Sequence, residues 1–79
     1  MISIEETLRI ALEAHTGQKD LDGNPAILHP LAVGLMGETE AEIKTGFLHD
    51  VVEDSSITLD DLKNRCVEDE LLTALALLS

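Results

Sequence analysis

The chain has 79 residues, of which 16 are Asp or Glu and five are Lys or Arg, giving a formal charge of −11; 44 % of the residues are hydrophobic. One small domain, or part of one, is all this length can fold, because so short a chain buries only about 60 % of the surface it exposes when unfolded. The charge excludes a nucleic-acid partner, which would need clustered Lys and Arg, and an anionic membrane surface would repel the chain equally, so an anionic small substrate would need a bound cation.

Ser3 followed by Glu6 is a capping-box pattern, and Ile4, Leu8, Ala11, Leu12 and His15 then recur at helical spacing, which predicts a first helix from about Ile4 to Thr16. Gly17 stops it. Asp22-Gly23 and Asn24-Pro25 make a loop of Gln18 to Leu28. Pro30 suits the first turn of a short second helix carrying Leu31, Val33 and Leu35 and ending near Gly37. Thr39 with Glu42 repeats the capping box and opens a third helix that runs through Phe47, Leu48, Val51 and Val52 to about Glu53. Ser55 to Ile57 form a break, Thr58 with Asp61 caps a fourth helix bearing Leu59 and Leu62, and a final segment from Glu68 carries Leu71, Leu72, Leu75 and Leu78. No alternating strand pattern or repeat is present, so the fold class is all-α, a bundle of about five helices. The apolar stretch Leu71 to Leu78 lacks a cap, which reads as an interrupted helix in an incomplete bundle and as a face through which a homo-oligomer could form.

Cys66 is the only cysteine, which rules out an intramolecular disulfide and fits a small semi-buried hydrophobe in a reducing compartment. The first residues lack the basic start of a signal peptide, and no apolar run approaches the roughly 18 residues of a membrane span, so a cytoplasmic protein with no membrane partner is expected. Phe47 is the only aromatic residue, which argues against base-stacking platforms.

Two places can carry chemistry. His15 falls within the apolar stripe of the first helix and points at the core, where it needs a partner. In Phe47-Leu48-His49-Asp50-Val51-Val52-Glu53-Asp54, His49 and Glu53 lie one turn apart, as do Asp50 and Asp54, so four polar groups share one side. A structural histidine and a solvated helix face explain each place separately; one divalent cation explains both. Two neutral imidazoles and a carboxylate suit manganese, iron or zinc, and such an ion supports hydrolysis of an anionic ester.

These residues carry a family resemblance. Ala14-His15-Thr16-Gly17-Gln18, Asp22-Gly23 with Pro25, His29-Pro30-Leu31-Ala32-Val33, and Leu48-His49-Asp50-Val51-Val52-Glu53-Asp54 with Thr58 and Leu59 resemble the HD-superfamily hydrolase domain of RelA/SpoT-type guanosine tetra- and pentaphosphate (ppGpp) hydrolases. The resemblance implies that residues 1–79 are the N-terminal part of a single HD-type domain. It implies Mn2+, with Fe2+ or Zn2+ as alternatives, held by His15, His49 and Asp50, and Glu53 and Asp54 orienting water and handling protons. The expected substrate is a nucleotide that loses its 3′-pyrophosphate. Lys19 and His29 are the candidate substrate-binding residues, with His29 also suited to anchoring the loop. The family's pattern departs here at Asp20 and Leu21, where it carries Arg and Lys, and at Ala26, where it carries tyrosine. A further aspartate ligand is expected from a helix beyond Ser79. The alternative from a different class is a catalytically incomplete helical binding or regulatory module.

Overall fold

The computed structural model describes residues 1–78, and among them every regular element is a helix. The six are α1 (Ile4–His15), α2 (Leu28–Leu35), α3 (Glu40–Leu48), α4 (Val51–Asp54), α5 (Leu59–Asn64) and α6 (Asp69–Leu78). None is long and apolar enough to cross a membrane.

The helix starts follow local chemistry. Ser3 Oγ accepts the Glu6 N–H at 3.0 Å, Thr39 Oγ1 accepts that of Glu42 at 3.1 Å, and Thr58 with Asp61 forms a complete reciprocal box. The third residue of each box is used differently. Glu42 reaches back one residue further to the Glu38 N–H at 2.9 Å, while Glu6 turns away to Arg9 and Arg65.

Two sequence expectations are corrected. The buried face of α1 is Thr7, Ile10, Ala11, Ala14 and His15, whereas Leu12 is 47 % exposed and Leu8 only half-buried, so the stripe lies rotated from the one drawn through the leucines. Thr7 tolerates burial because its hydroxyl donates to Ser3 O at 2.8 Å. The helix expected from Thr39 to Glu53 is broken at His49-Asp50, and Val51–Asp54 form a separate single turn. Gly46 O, the carbonyl an unbroken helix would offer to the Asp50 N–H, is taken at 2.6 Å by His49 Nδ1. The chain turns there, so α3 and α4 stand where one helix was expected.

Helix α3 is central, packing against α2, α1 and α6. Phe47 and Leu48 from its end join Ile10, Val51, Leu62 and Leu71 in the core. Helices α2 and α3 approach closely at two glycines: a methyl on Gly46 would lie 2.6 Å from Gly34 Cα, and one on Gly34 would run into the Phe47 ring. Only glycine admits that approach at either position.

Lys44 is 1 % exposed, an unexpected cation within α3. Its Nζ lies 3.0 Å from Glu68 Oε2 and 3.5 Å from Glu40 Oε1, and Glu68 Oε1 also accepts the Ile2 N–H at 3.2 Å. Burial alone would lower the Lys44 pKa, but the hydrogen bond and charge of Glu68, with Glu40 behind them, outweigh it and raise it. The Glu68 carboxyl is shifted the opposite way: burial would raise it, but its own backbone N–H, Lys44 and Ile2 hold it below the usual carboxylate value. This pair ties the start of α6 to α3.

Cys66 is exposed, not semi-buried, and adopts φ +71°. It follows the last turn of α5, where the Val67 N–H reaches Leu62 O and the Cys66 N–H reaches Lys63 O, both at 3.1 Å. This is a Schellman stop, with a cysteine where glycine is usual. Within α6, Leu71 and Leu75 are buried while Leu77 and Leu78 are 82 % and 62 % exposed.

Candidate metal centre

The centre is assembled from α2 and the break after α3. These two helices form an antiparallel pair through the short Met36–Thr39 connection, so positions before Gly34 lie beside positions after Gly46. His29 in the first turn of α2 thereby meets His49 at the end of α3, and Asp50 follows on the turn. His49 Nε2 is 3.3 Å from His29 Nε2 and 3.0 Å from Asp50 Oδ2, and His29 Nε2 is 3.7 Å from that oxygen. Among the described residues, these three form the group whose ligand atoms all lie within 4.8 Å of one another.

The donor chemistry fits a cation. A carbonyl only accepts, so the short contact to Gly46 O puts a proton of His49 on Nδ1, and in the neutral ring Nε2, 3.0 Å from Asp50 Oδ2, is the lone pair that a cation shared with Asp50 would take. Asp50 adds a carboxylate oxygen to that lone pair. His29 Nε2 either donates a proton into the gap or, as another lone pair, completes a set of two nitrogens and one oxygen able to hold a divalent ion.

His15, expected as a ligand, does not converge with His49 and Asp50. It is 3 % exposed at the end of α1, its Nδ1 lies 3.2 Å from Gln18 Oε1, and its Nε2 is buried without a partner. The physical reason is its anchorage: the ring is inside the bundle and tethered to Gln18, while His29 stands on the rim. His29, expected to bind substrate or anchor the loop, is instead the residue that joins His49 and Asp50 in the group.

A cleft of about 570 Å3 opens beside the centre, lined by Gln18, Lys19, Asp20, Ala26, His29, Asp50 and Asp54. Among the described residues, Lys19 is the one lysine or arginine in that lining. Asp54 reaches the cleft, and Glu53 sits beside it on the same turn, outside the lining. Asp20 stands in the cleft wall, yet its Oδ1 accepts the N–H groups of Asp22 and Asn24, both at 2.9 Å. Its carboxylate thus closes its own loop, which is further pinned by the Lys19–Pro25 bridge. Ala26 leaves that wall low.

An all-helical scaffold that brings two imidazoles and a carboxylate together has the parts of a divalent-cation site. Known proteins narrow the class further. The chain is 43 % identical over 65 residues to the chloroplastic RSH1 protein of Arabidopsis thaliana, named for GTP diphosphokinase, a match covering 76 % of this chain and 7 % of the relative. It is 42 % identical over 64 residues to a GTP pyrophosphokinase of Streptomyces coelicolor, covering 76 % of this chain and 8 % of that protein. It is 36 % identical over 64 residues to the guanosine-3′,5′-bis(diphosphate) 3′-pyrophosphohydrolase of Vibrio cholerae, covering 76 % of this chain and 9 % of that one. No protein-family model matches. The chain spans less than a tenth of the length of these relatives. Over the matched stretch it belongs with the RelA/SpoT-type GTP pyrophosphokinases and guanosine-bis(diphosphate) 3′-pyrophosphohydrolases.

Proposed function

We propose that residues 1–79 are the metal-binding part of a single HD-type phosphohydrolase domain that removes pyrophosphate from the 3′ position of a guanosine bis(diphosphate). The relatives carry both synthetase and hydrolase names; the convergence of His29, His49 and Asp50 favours the hydrolase, because water attack on a polyanionic ester needs a cation at the scissile group. This convergence carries the reading.

The residues would act as follows. His29, His49 and Asp50 would hold Mn2+, with Fe2+ or Zn2+ as alternatives, and a cation there supplies charge for the phosphate oxygens and acidifies water. Asp54, at the edge of the cleft, takes a proton from the attacking water, and Glu53 on the same turn orients it. Lys19 offers the cleft's positive charge to a phosphate group. The His49 Nδ1 contact to Gly46 O keeps the ring's orientation fixed throughout. The test is pyrophosphate release from guanosine 3′,5′-bis(diphosphate) and a panel of other nucleotides, with and without Mn2+, by the chain alone and in any longer natural frame containing it. Manganese-dependent release that disappears in Asp50→Asn is expected. Its absence across the panel ends the hydrolase reading.

A second reading is supported by an apolar cleft of about 510 Å3 lined by residues including Val33, Ala41, Leu71, Ala74 and Leu78. Here the chain is a helical binding module that pairs with a second copy through α6. Sedimentation of a compact monomer at all concentrations would reject that pairing.

A further inference from the structure

We propose that Gln18, its amide held in one orientation by His15, is a positioning residue that fixes the Asp54 carboxylate against the His29, His49 and Asp50 centre; this inference rests on the hydrolase reading above. The argument begins with a weakness of α4. Helix α4 has four residues, a single turn, and a lone turn cannot sustain itself in water. Its terminal carbonyls have no successor turn to satisfy them. The last of these, Asp54 O, receives the Gln18 Nε2–H at 2.7 Å, across 36 residues of sequence. The same amide nitrogen donates to Ala14 O at 3.2 Å. Both partners are carbonyls, so the NH2 group must face them and Oε1 must face the other way.

What Oε1 faces is His15 Nδ1, at 3.2 Å. An amide oxygen only accepts, so Nδ1 carries the proton, and Nε2 is left as a lone pair, buried and unpartnered. A buried polar atom without a partner calls for an explanation. The one offered by the geometry is that the ring is retained for its other nitrogen, the donor that stops the Gln18 amide from flipping. The Gln18 main chain completes the device: its N–H donates to His15 O at 3.0 Å and its carbonyl accepts the Ala26 N–H at 2.9 Å, three residues before His29. One residue therefore joins the end of α1, the turn that bears Asp54 and the segment that delivers His29.

The test uses Gln18→Ala, with His15→Leu and His15→Asn as companions. Asparagine at position 15 can present an N–H near the place of the ring Nδ1 and carries no second ring nitrogen. Two quantities are read with Mn2+ as the probe: steady-state kinetics, and paramagnetic broadening of the carboxyl carbon resonances of Asp50 and Asp54. Gln18→Ala and His15→Leu should lower kcat by about tenfold to a hundredfold at unchanged KM and Mn2+ affinity, the scale expected for a misplaced catalytic group. Broadening should weaken at Asp54 relative to Asp50, and His15→Asn should restore both quantities. A Gln18→Ala protein with parental kcat and the parental ratio of Asp54 to Asp50 broadening overturns the proposal, and a His15→Asn protein that behaves like His15→Leu overturns the part assigned to His15. Should the parent bind Mn2+ yet hydrolyse nothing, the hydrolase reading falls and the broadening alone decides for or against the clamp. If Gln18→Ala fails to fold, Gln18→Glu replaces it, keeping the acceptor for His15 and removing the donor for Asp54.

Discussion

Replacing Gly46 with alanine should damage both stability and the metal centre. The added methyl would lie 2.6 Å from Gly34 Cα and 2.7 Å from Gly34 N, against about 3.8 Å for an unstrained contact. The atoms the methyl would meet are main chain, so no rotamer change relieves the overlap and α2 must move off α3 by about 1 Å. Overpacking of this kind costs about 1–3 kcal/mol, from which up to about 1 kcal/mol is recovered because alanine is the better helix former. The net loss of about 1–2 kcal/mol corresponds to a melting temperature lower by about 4–15 °C for a chain of this size. The same displacement carries His29 away from His49. Thermal unfolding followed by circular dichroism, with and without Mn2+, separates the two effects. The parent should gain about 2.7 kcal/mol at a hundredfold excess of Mn2+ over its Kd, and Gly46→Ala should gain much less. Gly23→Ala is the control, because Gly23 has φ +83° with open space around it. That variant should lose about 1–2 kcal/mol to left-handed strain and keep the full metal response. A Gly46→Ala protein with parental melting temperature and parental metal response would refute the reasoning.

His29→Ala should abolish the Mn2+-induced rise in melting temperature while His15→Asn retains it, as calorimetry would show; the opposite pattern would return the ligand role to His15. Lys44→Met should cost about 3 kcal/mol, the lower end of the range for stranding a buried ion-pair partner because the Glu68 side chain is 20 % exposed. Because Glu68 is lowered on folding, its contribution is present above the ordinary value of 4.5 and is lost as pH falls through the folded value. Lys44 is raised, so its contribution is present below 10.5 and is lost as pH rises through the folded value. Denaturant titrations across pH should therefore show Lys44→Met with flatter acid and alkaline limbs than the parent. Cys66→Gly should raise stability by about 1 kcal/mol by removing left-handed strain at the end of α5, readable as a higher urea midpoint with unchanged slope.

The features legible in the sequence were those set within one turn of chain. Ser3, Thr39 and Thr58 cap helices because their hydroxyls meet N–H groups three residues on, whatever the rest of the chain does. The break at His49 was not legible, because it depends on an imidazole taking a main-chain acceptor, a competition invisible to hydropathy. Lys44 reads as a surface charge until Glu68, 24 residues away, is brought against it. The choice between His15 and His29 was likewise tertiary: both are histidines beside helix ends, and the crossing of α2 on α3 decides which one meets His49. One signal was available. Gly34 and Gly46 sit inside neighbouring predicted helices, where glycine is costly without a close approach to justify it. An antiparallel crossing at that pair puts His29 beside His49.

Asp20 has a consequence for how this pocket could change over evolutionary time. Its carboxylate both shapes the rim and ties off the turn behind it, so one side chain answers to two constraints. Swapping in a basic side chain to welcome a more highly charged nucleotide would unfasten the turn in the same step. A lineage shifting its ligand preference here would need a compensating change around Asp22 to Asn24 first, which makes the route between the two preferences ordered and not a matter of single substitutions.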